Sequence, residues 1–243
     1  MPDAYTRKAR IAPAALVGVP GGALLIAGAI SPDTVLRAIG VFLGALGILV
    51  AVLIRDAGRS VQPRLWEDWG GPPTTSRLRW GGDGPAAAIQ RLHARVEAAT
   101  GEQLPDAAAE AADQAEADRI YEEAVGVLRE RTRDAATFPL VAAENADYGF
   151  RRNCLGVRPA GITVAGAGLV AGVLFAAVGS GSATTRLDRW VPAAVVCALC
   201  LGFWLLTVKP EWVKRAAENY ADRLLGATDI LHTEQSTNQA STN

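Results

Sequence analysis

Two clusters of polar and aromatic residues carry the side chains best suited to recognising a ligand. The first runs from Trp66 to Trp80 and combines Trp66, Trp69 and Trp80 with Arg64, Arg77 and Arg79. Trp and Arg are enriched at binding hot spots, and both also suit the headgroup zone of a bilayer. At its centre, Gly70-Gly71-Pro72-Pro73 reads as a rigid turn. It is not a phosphate loop, because no Gly-x-x-x-x-Gly-Lys-Ser/Thr occurs and no lysine is near. The segment fits either a structural loop or a binding site. The second cluster holds Glu144, Asn145, Tyr148, Arg151 and Arg152. Paired arginines can grip a phosphate or carboxylate with planar forks, and they serve equally well as a basic collar at a membrane.

Residues for covalent or metal chemistry are sparse. His93 and His232 are the only histidines, and neither has triad or metal-ligand spacing around it. The acidic pairs Glu110/Asp113 and Glu122/Glu123 read as a solvated helical face. Cys197 and Cys200 have CxxC spacing but lie in an apolar run, where the thiolate needed for redox or metal chemistry is disfavoured. They read as small core residues. With Cys154 the count is odd, which is no disulfide framework. No cofactor, metal site or catalytic set is expected.

These clusters must be positioned by four apolar stretches, residues 11–30, 35–54, 159–179 and 190–208. Each is close to the ~20 helical residues that cross a hydrocarbon core. Within lipid the backbone must satisfy its own polar groups, so each stretch should be a helix. The expected fold class is therefore an all-α integral membrane protein with four transmembrane helices in two hairpins. The residues flanking the spans set the orientation. Arg7, Lys8, Arg10, Arg55, Arg59, Arg64, Arg151, Arg152, Arg158, Lys209, Lys214 and Arg215 mark one side. Only Arg37, Arg186 and Arg189 mark the other. Residues 1–10, a helical insert at 55–158, and the C-terminal region should then be cytoplasmic. Residues 209–232 read as an amphipathic helix, and the polar tail 233–243 as disordered. The first apolar run is long and a second follows within five residues, so it reads as an uncleaved span.

The insert divides by composition. Residues 55–83 lack helical periodicity, the Leu65–Pro73 stretch should break any helix, and Thr74–Trp80 is compatible with an extended segment. In residues 85–100, Ile89, Leu92 and Val96 fall on one helical face, closed by Gly101. A second helix is expected from Pro105 to about Ala136, and a third from Pro139 into the membrane. The outer connection, residues 180–189, reads as a loop.

Small residues recur at four-residue spacing, in Gly18/Gly22, Gly40/Gly44 and Gly168/Gly172. Such spacing lets helix backbones approach closely, within one subunit or between subunits. Pro20-Gly21-Gly22 reads as a kink in the first span, with an unwound binding segment as the other reading.

Half the residues are hydrophobic and the net charge is -1. That balance excludes a nucleic-acid binder. No Asp, Glu, Lys or His stands mid-span, which argues against proton-coupled transport. The expected function is a non-enzymatic, multi-pass protein of a bacterial plasma membrane. Its cytoplasmic helices would bind a partner or ligand and couple to the membrane bundle, as a possible oligomeric effector. The alternative is a small-molecule or lipid transporter subunit. Expected partners are the bilayer with anionic headgroups at the cytoplasmic face, a second copy of the chain, or a cytoplasmic protein.

Overall fold

The computed structural model describes residues 4–28, 53–82, 84–179 and 181–231. In chain order we number the helices α1 (Arg7–Gly28), α2 (53–69), α3 (Pro73–Ser76), α4 (Ala86–Thr100) and α5 (Ala107–Ala112). They continue with α6 (Gln114–Arg131), α7 (Pro139–Val178), α8 (Ala183–Thr207) and α9 (Pro210–Gly226). No strand occurs among the described residues. Among the described residues, three helices, α1, α7 and α8, are long and apolar enough to cross a membrane. The second apolar stretch, with Gly40 and Gly44, lies almost wholly outside the described residues, as does the 233–243 tail.

The chain forms two compact units. Unit 1 holds residues 1–63 and 146–213, and unit 2 holds residues 64–145 and 214–243. Unit 1 is a packing of apolar helices that meet through small residues. A Cβ on Gly168 would stand 2.9 Å from Cys197 Sγ, which itself faces the Pro20 carbonyl at 3.9 Å. A Cβ on Gly172 would stand 3.1 Å from the Cβ of Ala194. Around Gly18 and Gly22, no described atom lies within 4 Å of such a Cβ. Pro20-Gly21-Gly22 sits inside unbroken α-helix from Ala12 to Gly28, so it is not an unwound segment. Cys154 and Cys197 are buried packing residues.

Unit 2 is built on a core of Leu78, Val96, Tyr121, Val125, Leu128 and Leu224. The stripe predicted on residues 85–100 forms α4. Gly101 ends it at φ 82°, donating its N–H to the Glu97 carbonyl, as a left-handed C-terminal glycine does.

Several expectations for the insert are corrected. Helix runs over residues 53–69, so residues 55–69 are helical although the segment 55–83 lacks a helical period in the sequence. The buried stripe of α2 is Ile54, Gly58 and Leu65, and a glycine within the stripe conceals its period. The break falls at Gly70 (φ 76°) and Gly71 (φ 126°), conformations that glycine adopts without a Cβ penalty. Thr74–Trp80 is not extended, because Pro73 opens the helical turn α3 after an extended Pro72. The long helix expected from Pro105 is two helices. Asp113 leaves helical geometry and its carboxylate accepts from the Glu116 N–H at 3.0 Å, starting α6. Asp106 does the same for α5 through the Ala109 N–H at 2.8 Å. Between the last two apolar stretches, helix resumes at Ala183, capped by Ser182, well before residue 189.

Candidate functional site

Unit 2 contains an open cleft of about 700 Å³. Its walls come from the end of α2, from α3, from the loop residues 77–82 and 84, from α4 and from the first turns of α9. The loop is the least regular of these, and a buried polar hub holds it. Glu110, only 7 % exposed, accepts from the Trp80 N–H at 3.0 and 3.1 Å and from the Tyr121 hydroxyl at 2.7 Å. Burial, then this hydrogen bond, raises the Tyr121 pKa, so the hydroxyl stays a donor. The expectation of a solvated Glu110 is therefore wrong: α5 turns it inward, where three donors replace water.

His93 completes the hub. Its Nε2 lies 2.6 Å from the Leu78 carbonyl. A carbonyl only accepts, so that nitrogen carries the proton. The ring stands edge-on to Trp80 at 5.0 Å and tilted to Tyr121 at 5.6 Å. The Trp80 indole N–H donates to the Pro105 carbonyl at 2.9 Å. Both His93 and Trp80 thus serve structure.

Arg79 ties the glycine turn to α6. Its Nε and Nη2 donate to the two Asp118 oxygens at 2.7 Å each, and Nη1 donates to the Gly70 carbonyl at 2.6 Å. The bidentate bond with Asp118 raises its pKa. A Cβ on Gly71 would stand 2.9 Å from Nη2, a second reason for glycine there.

Of the first sequence cluster, the fold brings Trp69, Arg77 and Arg79 to the cleft. Trp66 is half-buried and does not line it. Ile89 and Leu92 of α4 supply the apolar surface, and Arg95, Lys214 and Glu218 supply charge. Sequence reading missed these last five as site residues. Ile89 and Leu92 belonged to a predicted core stripe, and Lys214 lies far along the chain from Trp69. The only available signal was the Lys/Glu pair on α9 at i, i+4.

The second cluster is divided between the units. Glu144 and Asn145 belong to unit 2; Tyr148, Arg151 and Arg152 belong to unit 1. Arg151 is committed internally. It pairs with Asp147 at 2.8 Å, donates to the Trp212 carbonyl at 3.1 Å, and lies over the Trp212 ring. Asp147 also pairs with Lys8 at 3.0 Å. Arg152 donates to Gln62 Oε1 at 2.6 Å and lies over the Tyr148 ring. Asn153, 2 % exposed, donates to the Ala9 carbonyl at 2.6 Å. Here the arginines work as struts between helices of unit 1. Among the described residues, no three His, Cys, Asp or Glu side chains gather closely enough to hold a metal.

The molecule is thus an all-helical protein carrying long apolar helices and a separate polar unit with a cleft. Comparison with protein-family models, with curated proteins and with solved structures found no match.

Proposed function

We propose that this chain is a non-enzymatic, four-span protein of a bacterial plasma membrane, with unit 2 in the cytoplasm as its ligand- or partner-binding module. The cleft in unit 2 carries this reading. Its size falls in the range of small-molecule sites, roughly 300–1,000 Å³. It joins apolar surface from Ile89 and Leu92 to a few charged groups. The hub around Glu110 fixes the loop that forms one wall, which preorganises the site. The basic bias around the spans supports the cytoplasmic placement. The chain passes between the units three times, at residues 63–64, 145–146 and 213–214, which supplies routes for coupling.

Two measurements test the proposal. A cysteine placed at Ser182 should react with an impermeant thiol reagent in intact cells, and one placed at Ala108 should not. The reverse pattern overturns the orientation. The variant Leu92→Trp, which fills the cleft, should abolish the cellular phenotype of the wild type while membrane insertion stays normal. An unchanged phenotype removes the module reading.

A further inference from the structure

The charged groups around the cleft are not equivalent. Arg77 gives Nε and Nη2 to Asp222, at 3.0 and 3.2 Å. Its Nη1 edge has no partner among the described residues. Arg95 gives Nη1 alone to both oxygens of Asp229, at 3.0 and 3.1 Å, leaving Nη2 and Nε free in the same sense. Asp222 and Asp229 do not line the cleft, but both arginines do. Each aspartate therefore holds its guanidinium from outside the cleft and leaves donors for a second acceptor. Pinning reduces the side-chain entropy lost when an anion is gripped.

Lys214 adds a compact cation. It stands one turn from Glu218, yet the two form no salt bridge, and Lys214 has no ion pair among the described residues. Of the two carboxylates among the described lining residues, Glu110 is engaged by the Trp80 amide and the Tyr121 hydroxyl, and Glu218 is the one that faces an incoming anion with no side-chain hydrogen bond or ion pair of its own among the described residues. Trp69 is half-buried and lines the same cleft as apolar Pro73, Ile89 and Leu92.

From this we propose that the cleft binds an organic phosphate, with Arg77, Arg95 and Lys214 meeting the phosphate and Trp69 with Leu92 meeting the organic body. The proposal rests on the binding-module reading of unit 2. Phosphate offers three or more acceptor oxygens, which suits two partly free forks and an ammonium better than one carboxylate does. The phosphate can belong to a free metabolite or to a lipid headgroup.

The test uses the full chain in phosphatidylcholine nanodiscs, titrated calorimetrically with ATP and with inorganic pyrophosphate. In parallel, discs containing phosphatidylglycerol are compared with phosphatidylcholine discs for protection of Lys214 from amine acylation. Saturable binding of a soluble probe identifies a free phosphate ligand. Protection of Lys214 by phosphatidylglycerol alone identifies a headgroup. With a soluble probe, Lys214→Gln and Arg95→Gln should each weaken binding about tenfold, the loss of one charge-assisted hydrogen bond, and in the lipid arm Arg95→Gln should weaken the protection of Lys214 to the same extent. Glu218→Gln should strengthen the interaction, a gain that misfolding cannot produce. No binding in either arm overturns the proposal, as does binding indifferent to Arg95→Gln and Glu218→Gln. If no phosphate binds but Leu92→Trp still abolishes the phenotype, the ligand class is wrong and the module reading stands. If Leu92→Trp is also silent, both readings fall.

Discussion

Glu110→Ala is expected to destabilise unit 2 by about 3 kcal/mol or more, the cost of stranding several buried donors at once. Glu110 satisfies the Trp80 amide, the Tyr121 hydroxyl and, more weakly, the Gly81 amide at 3.4 Å. Alanine removes the carboxylate that accepts from all three donors and leaves a void beside Tyr121, which is fully buried. The loop 77–84 then loses its anchor, and the cleft loses a wall. Glu110→Gln should cost less, because one amide oxygen remains to accept. Tyr121→Phe should cost about 1 kcal/mol, the typical net value of one hydrogen bond. Thermal melting of the purified chain gives the ranking, and hydrogen exchange at the Trp80 and Gly81 amides locates the effect. Unchanged melting and unchanged protection in Glu110→Ala would show that the hub does not hold the loop.

Gly156→Leu should disrupt unit 1 by at least the ~1–3 kcal/mol typical of overpacked cores. A Cβ on Gly156 would press on the Ala57 carbonyl group and stand 2.6 Å from the Gly58 nitrogen. These are backbone atoms of α2, and no rotamer change can move them aside. The facing glycine is equally constrained, since a Cβ on Gly58 would stand 2.9 Å from Asn153 Cγ. Helices α2 and α7 therefore touch nearly backbone to backbone, which only small residues permit. Even Gly156→Ala should lower stability in detergent. Gly166→Ala is the control: no described atom lies within 4 Å of its Cβ, and alanine favours helix. Equal melting temperatures for Gly156→Ala and Gly166→Ala would exclude the close crossing.

The residues that position the cleft lie on segments distant in sequence, and this explains what sequence reading found and missed. The one-dimensional pattern determined the helical class, three long apolar helices, and α4 with its glycine stop. These depend on periodicity and local backbone chemistry, which neighbouring residues report. Only tertiary structure decided the rest. Glu110 reads as surface because its neighbours are alanine and acid, but the fold supplies Tyr121 and the loop amides that make its burial tolerable. Arg151 reads equally as an anion receptor or as part of a basic collar until Asp147 and Trp212 occupy its donors. Gly58 and Gly156 lie outside the expected spans, and their closeness appears only when α2 meets α7. Lys214 and Arg77 line one cleft because residues 214–226 of α9 and residues 77–82 belong to the same unit. Burial of a polar group depends on partners brought from elsewhere in the chain, and local sequence does not contain them.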